Sequence, residues 1–263
     1  MGARIFSGIV LGLLAIVFIA HGGMLFFILV LLLGLLALNE FYRMMWPYRP
    51  LALAGFVGLP LLLWAAWFRS PGYMLAMVAV TLLLAFLLAL TLGPKPGAVV
   101  RLAMTMLGVV YIGLGLGHLL LMRRLDHGTA LVLTVVFGTW GGDTMAYFTG
   151  HWFGSTPMTP RLSPRKTWEG FAGGTIGTIL LVVFVSIYTS LGAGQSLVLG
   201  VVIAVVGPIG DLFESLLKRD VHVKDTGRAF PGHGGILDRF DALLFATVAS
   251  YYLITLVFNY ALP

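Results

Sequence analysis

The chain contains no cysteine. That excludes disulfides, cysteine-ligated zinc, covalent haem attachment and thiol nucleophiles, and leaves the redox compartment open. Charge is also scarce: Asp, Glu, Lys and Arg make up 10% of 263 residues, against 59% hydrophobic. A soluble core does not need that much apolar surface, whereas a helix crossing a bilayer needs about 20 mostly apolar residues. The composition predicts an all-α polytopic membrane protein. P-loop, HExxH and GxSxG motifs are absent, which removes the chemistries that depend on them. The Gly-Leu-Gly-Leu-Gly run at 113–117 falls inside an apolar segment and is no dinucleotide loop. Acids are rarest in the first half: of ten, only Glu40 and Asp126 lie outside 143–241.

What is present is a succession of apolar runs. They predict about nine spans, at 4–20, 23–38, 51–68, 73–92, 99–121, 129–149, 170–191, 196–216 and 239–260. The first follows Arg4 and mimics a signal peptide, but eight more follow it, so it reads as an uncleaved span. His21-Gly22-Gly23 is a tight turn between the first two. With the N-terminus inside, the cytoplasmic segments hold Arg4, Arg43, Arg49, Lys95, Arg101, Arg161, Arg165, Lys166, Lys218, Arg219, Lys224, Arg228 and Arg239, and the outer loops hold Arg69, Arg123 and Arg124. This asymmetry places the N-terminus in the cytoplasm and the C-terminus outside. The net charge of +6 then reflects the inside bias and anionic lipid headgroups rather than nucleic acid. Residues 1–128 read as a transmembrane scaffold of about five helices. Residues 129–263 read as a catalytic region of about four, with cytoplasmic loops at 150–169 and 217–238. Gly170, Gly173, Gly174 and Gly177 form small-xxx-small patterns suited to helix packing.

Eight acids gather at the inner ends of the last four spans or in their loops. Asp211, Glu214, Ser215 and Lys218 are spaced to share one helix face, and Gly207-Pro208 before them predicts a kinked or broken span. The following loop carries Lys224, Asp225, Arg228 and His233, with Pro231-Gly232 and Gly234-Gly235 as turns whose backbone N–H groups can approach a phosphate. Asp238 and Asp241 face one way at the start of the last span. Carboxylates without His or Cys partners favour a hard ion, Mg²⁺ or Mn²⁺. Neighbouring Arg and Lys are complementary phosphate clamps. Together they point to metal-assisted phosphoryl transfer. In LSPRKTWEG (162–170), Ser163-Pro164 predicts a helix N-cap followed by Pro at N1. That would put Arg165 and Lys166 in a helix first turn, where a bound anion, a substrate phosphate being the natural candidate, would resolve their conflict with the dipole. Asp143 is expected as a further buried acid near the inner end of span six.

The stretch SLLKRDVHVKDTGRAFPGHGGILDRFD, Ser215 to Asp241, resembles the phosphatidate cytidylyltransferase (CDP-diacylglycerol synthase) signature at every fixed position. The segments around Asp143 and SPRKTWEG are similar to the same family. The specific resemblance covers about 138–245. It implies transfer from CTP to phosphatidic acid, giving CDP-diacylglycerol and pyrophosphate. It implies Asp211 and Asp238 as Mg²⁺ ligands, with Glu214 a further candidate ligand and Mn²⁺ an alternative ion, and it brings K⁺ as a monovalent cation and a homodimer. Catalytic roles fall on Asp211, Asp238, Lys224, Arg219 and Asp241, and substrate contacts on Ser163, Lys166, Thr167, Lys218, Asp225, His233, Arg239 and Asp143. One departure shows: where relatives carry two basic residues, this chain has His151 and Ser155, and Arg161 is a candidate replacement.

Two other readings compete. A secondary transporter fits intramembrane acids and a broken helix, but the acids cluster on one side and no inverted repeat is visible. A CDP-alcohol phosphatidyltransferase would need an Asp-Gly-x-x-Ala-Arg motif, which is absent. The expected location is a bacterial inner membrane, with no nucleic-acid partner.

Overall fold

The apolar runs become helices where hydropathy predicts them. The computed structural model describes residues 2–93, 96–227 and 234–260, with side chains from residue 12 onward. Among these residues the α-helices are α1 (Gly2–His21), α2 (Gly23–Met44), α3 (Ala52–Phe68), α4 (Pro71–Thr91), α5 (Ala98–Arg123), α6 (Gly128–Phe153), α7 (Trp168–Val185), α8 (Ala193–Asp220) and α9 (Leu237–Tyr252). The turn between α1 and α2 uses positive φ at Gly22 and Gly23, 68° and 57°, as glycine permits. Among the described residues six helical segments are long and apolar enough to cross a membrane: Gly23–Met44, Pro71–Thr91, Ala98–Arg123, Trp168–Tyr188, Ala193–Asp220 and Leu237–Val257. Their outward faces are oily. Leu75 and Leu83 on α4, Leu180 and Phe184 on α7, and Val205 on α8 are exposed, a surface that suits lipid rather than water.

Four expectations change. The expected 150–169 loop is not irregular throughout: β1 (Pro157–Thr159) and β2 (Ser163–Thr167) form an antiparallel two-stranded ribbon inside it, a small addition to an all-α architecture. Ser163-Pro164 therefore does not start a helix, and Arg165 and Lys166 lie on a strand. A two-stranded ribbon has only edge strands, where Pro is tolerated. Thr167 caps α7 instead, its Oγ1 accepting from Gly170 N at 3.1 Å. Third, α8 runs unbroken from Ala193 to Asp220 with Pro208 inside it. Pro208 removes one hydrogen bond without ending the helix. Fourth, α2 continues past 38 to Met44 and buries Glu40, which hydropathy alone had left outside the span.

The chain divides into two compact units: Met1–Leu121 with Asp220–Phe240, and Met122–Arg219 with Asp241–Pro263. In the first, α2, α3 and α5 meet at glycines. A Cβ at Gly108 would stand 2.8–3.0 Å from Phe41, Tyr42 and Leu38, and one at Gly113 would meet Leu59 and Leu62. Tyr42 Oη donates to the Thr105 carbonyl at 2.9 Å. Tyr48, in the short helical turn after α2, donates to Asp220 at 2.5 Å. In the second unit α6 and α7 pack closely. A Cβ at Gly174 would lie 2.8 Å from Ala146 Cβ and 3.0 Å from the Gly142 carbonyl, and one at Gly142 would meet Thr178. The small-xxx-small stripe thus serves helix packing, as the spacing predicts.

Candidate active site

In the second unit, charged chemistry collects around the ribbon and the end of α8. Lys166 Nζ on β2 lies 2.5 Å from Asp211 Oδ2, so the ribbon brings a cation to the first acid of the α8 series. Ser215 Oγ reaches the other oxygen of Asp211 at 3.5 Å. One turn on, Glu214 is fully buried and takes Lys218 Nζ at 2.8 Å, the i,i+4 pair that the spacing predicts. Arg219 Nε points to the Leu162 carbonyl in the ribbon turn at 3.4 Å. At the top of α9, Asp241 Oδ1 accepts from Ala242 N at 2.7 Å, and its carboxylate stands in the fields of Asp211, Asp143 and Lys218. Acids and lysines therefore alternate over this patch, as binding a phosphate beside a cation requires.

Asp143 is exposed rather than buried. It sits at a small pocket lined by Thr139, Ala146, Thr175, Thr178, Ala204 and Pro208, among others. Pro208 cannot donate to the carbonyl one turn earlier, that of Ala204, so the proline leaves a backbone acceptor beside this pocket. Ser155 and His151, which stand where basic residues were expected, have other work. Ser155 Oγ donates to Glu169 Oε1 at 2.8 Å, and Thr156 donates to the same carboxylate through its hydroxyl (2.9 Å) and its N–H (3.2 Å). His151 stacks on Tyr147. Arg161 is exposed in the ribbon turn, as its candidate role requires. Ser163 and Thr167 occupy the two ends of β2.

The first unit holds Asp238, and its carboxylate is tightly engaged. Asp238 Oδ2 accepts from Gly235 N (2.7 Å), Thr226 N (3.0 Å) and Thr226 Oγ1 (3.0 Å). The Gly235 N–H therefore serves a carboxylate, not the phosphate that the glycine pattern suggested. Beneath it lies Glu40, a residue the sequence did not single out. Glu40 is 7% exposed; its Oε2 accepts from Leu237 N at 2.9 Å, and Thr226 Oγ1 stands 3.4 Å from it. Its signal in the sequence was that, of ten acids, only it and Asp126 lie outside 143–241. Lys224, Asp225 and Arg239 are exposed in the same unit. His233 and Arg228 lie outside the described residues.

Among the described residues no three His, Asp or Glu side chains come together as a metal cage. Mg²⁺ does not require one, because it typically takes one or two carboxylates and fills its shell with water and phosphate oxygens. The donors fit such an ion: they are carboxylates, and the Lys166 ammonium against Asp211 marks that position as one that holds positive charge.

Comparison with known proteins agrees with the chemistry of these groups. The model of the cytidylyltransferase family matches residues 2–257. A phosphatidate cytidylyltransferase of Bacillus subtilis is 33% identical over 97% of this chain and 98% of its own length. One of Staphylococcus epidermidis is 31% identical over 93% and 95%. One of Thermotoga maritima is 39% identical over 55% of this chain and 56% of its own.

Proposed function

The chain belongs to the cytidylyltransferase family, and is thus a nucleotidyltransferase of the membrane; from that premise we propose that it is a phosphatidate cytidylyltransferase working at the cytoplasmic face of a bacterial inner membrane. An oxygen of the phosphatidate phosphate attacks the α-phosphorus of CTP. The new P–O bond joins lipid phosphate to CMP, the bond to the β-phosphate oxygen breaks, and pyrophosphate leaves with that electron pair. The products are CDP-diacylglycerol and pyrophosphate. A phosphate monoester is already anionic near neutral pH, so a strong general base is unnecessary. The main demand is neutralisation and alignment of anions.

The observation that carries this reading is the Lys166–Asp211 pair. It joins the SPRKT strand to the α8 acids, two stretches distant in sequence whose resemblance points to one family. Lys166, with Ser163 and Thr167 on the same strand, is assigned to the nucleotide phosphates. Lys218, Arg219, Lys224 and Arg239 neutralise charge on the phosphates, and Asp143, Asp225 and His233 complete the substrate contacts. Asp211 and Asp238 are assigned as ligands of Mg²⁺, or Mn²⁺ in its place. Asp241 orients this cluster. Glu214, committed to Lys218 in this structure, is the weakest of the proposed ligands. When bound, the divalent ion supplies Lewis-acid stabilisation of the phosphoryl oxygens. K⁺, a homodimer and nine spans with the N-terminus inside complete the proposal.

The test uses purified protein in detergent with phosphatidate, Mg²⁺, K⁺ and CTP labelled at the α-phosphate. Label should enter the lipid phase, and Asp211→Asn and Asp238→Asn should each lower that rate at least about 100-fold, the scale on which a group that stabilises transferred charge contributes. Wild-type protein that leaves all label in the aqueous phase would overturn the assignment.

A further inference from the structure

Glu40 is a carboxylate buried in an apolar helix, a placement that costs free energy unless its hydrogen bonds are satisfied and useful. Its partners lie 197 and 186 residues away in sequence. The Leu237 N–H belongs to the first turn of α9, where the helix has no acceptor of its own. Glu40 supplies that acceptor from α2. The loop is moulded to this carboxylate at both of its described ends. A Cβ on Gly227 would come within 2.4 Å of Glu40 Oε1, and a Cβ on Gly235 within 2.5 Å of Oε2. Thr226 stands between Glu40 and Asp238. Its hydroxyl has one hydrogen for two carboxylates, and the shorter contact, 3.0 Å against 3.4 Å, assigns it to Asp238.

We propose that Glu40 and Thr226 are positioning residues for Asp238: Glu40 fixes the backbone immediately before it, and Thr226 pins one oxygen of its carboxylate, so that the plane of the group is set before any cation arrives. The inference rests on the reading of Asp238 as a divalent-metal ligand. Partners of this kind orient metal ligands, and their loss typically costs about 10- to 100-fold in metal affinity.

Mn²⁺ titration of the purified full chain, followed by the electron paramagnetic resonance signal of the free ion, tests both levels. Asp238→Asn should abolish the site. Thr226→Val should weaken Mn²⁺ binding about 10-fold, Thr226→Ser should restore it, and Glu40→Gln, which keeps one acceptor oxygen, should fall between wild type and Thr226→Val. In the transfer assay the half-saturating Mg²⁺ concentration should rise with the same ranking while the rate at saturating Mg²⁺ is kept. That split separates positioning from general damage to the fold. Unchanged Mn²⁺ binding in Asp238→Asn would remove the metal assignment and this proposal with it. Loss in Asp238→Asn with wild-type affinity in Thr226→Val and Glu40→Gln would leave the metal assignment standing and overturn the positioning role. Equal losses in Thr226→Val and Thr226→Ser would overturn the role of the hydroxyl.

Discussion

Glu214 and Lys218 show what a buried charge pair demands. Glu214 has no exposure and its lysine partner is 12% exposed. Removing one member leaves the other charged and uncompensated, at a cost of about 3–5 kcal/mol. Lys218→Met should therefore lower the thermal unfolding midpoint in detergent sharply, and adding Glu214→Met to it should recover most of the loss. A double variant no more stable than Lys218→Met would show that the pair does not carry the effect. This contact was legible from i,i+4 spacing. Lys166–Asp211 was not, because a strand and a helix meet there through tertiary folding. Tyr48 lies outside the spans, and its phenol is held above the usual tyrosine range, first by its hydrogen bond to Asp220.

At the scale of elements, the ribbon and α7 form a continuous device. β2 ends at Thr167, whose hydroxyl caps α7, and Glu169 one residue into the helix holds Ser155 and Thr156 before β1. An acid in a helix first turn also complements the helix dipole. Thr167→Ala should cost about 1 kcal/mol of stability and Thr167→Ser little, as measured by thermal unfolding. Gly174→Val should do worse. Its Cβ would press on Ala146 and on the Gly142 backbone carbonyl, and backbone yields less readily than a side-chain end. Overpacking of this kind costs about 1–3 kcal/mol, so the yield of monodisperse protein should fall, whereas Gly194→Val, where no atom lies within 4 Å, should behave as wild type. The SPRKT stretch misled the sequence reading because Ser-Pro is as acceptable on an edge strand as at a helix start, and only the pairing with Pro157–Thr159 decides between them.

At the scale of the molecule, the absence of cysteine makes topology directly measurable. Single cysteines can be introduced at Arg161, exposed in the ribbon turn, and at Gly194, which faces open space. In intact cells an impermeant maleimide should label Gly194→Cys and spare Arg161→Cys until the membrane is opened. Labelling of both from outside would reject the proposed orientation. Arg69 lies over the rings of Trp64 (5.4 Å) and Tyr73 (6.0 Å) where α3 meets α4, the amphipathic chemistry of a membrane interface.

By itself the sequence determined the positions of the helices, because apolar length and period act locally, and, through the resemblance of Ser215–Asp241 to a family signature, the class of enzyme. The stripe of small residues likewise announced close packing of α7 against a neighbour. Tertiary structure decided what each charged group touches. Lys166 meets Asp211, Ser155 meets Glu169, and Glu40 reaches the start of α9 from α2. These contacts join residues far apart along the chain. They are set by how helices pack and where loops close, which no local pattern of hydropathy encodes.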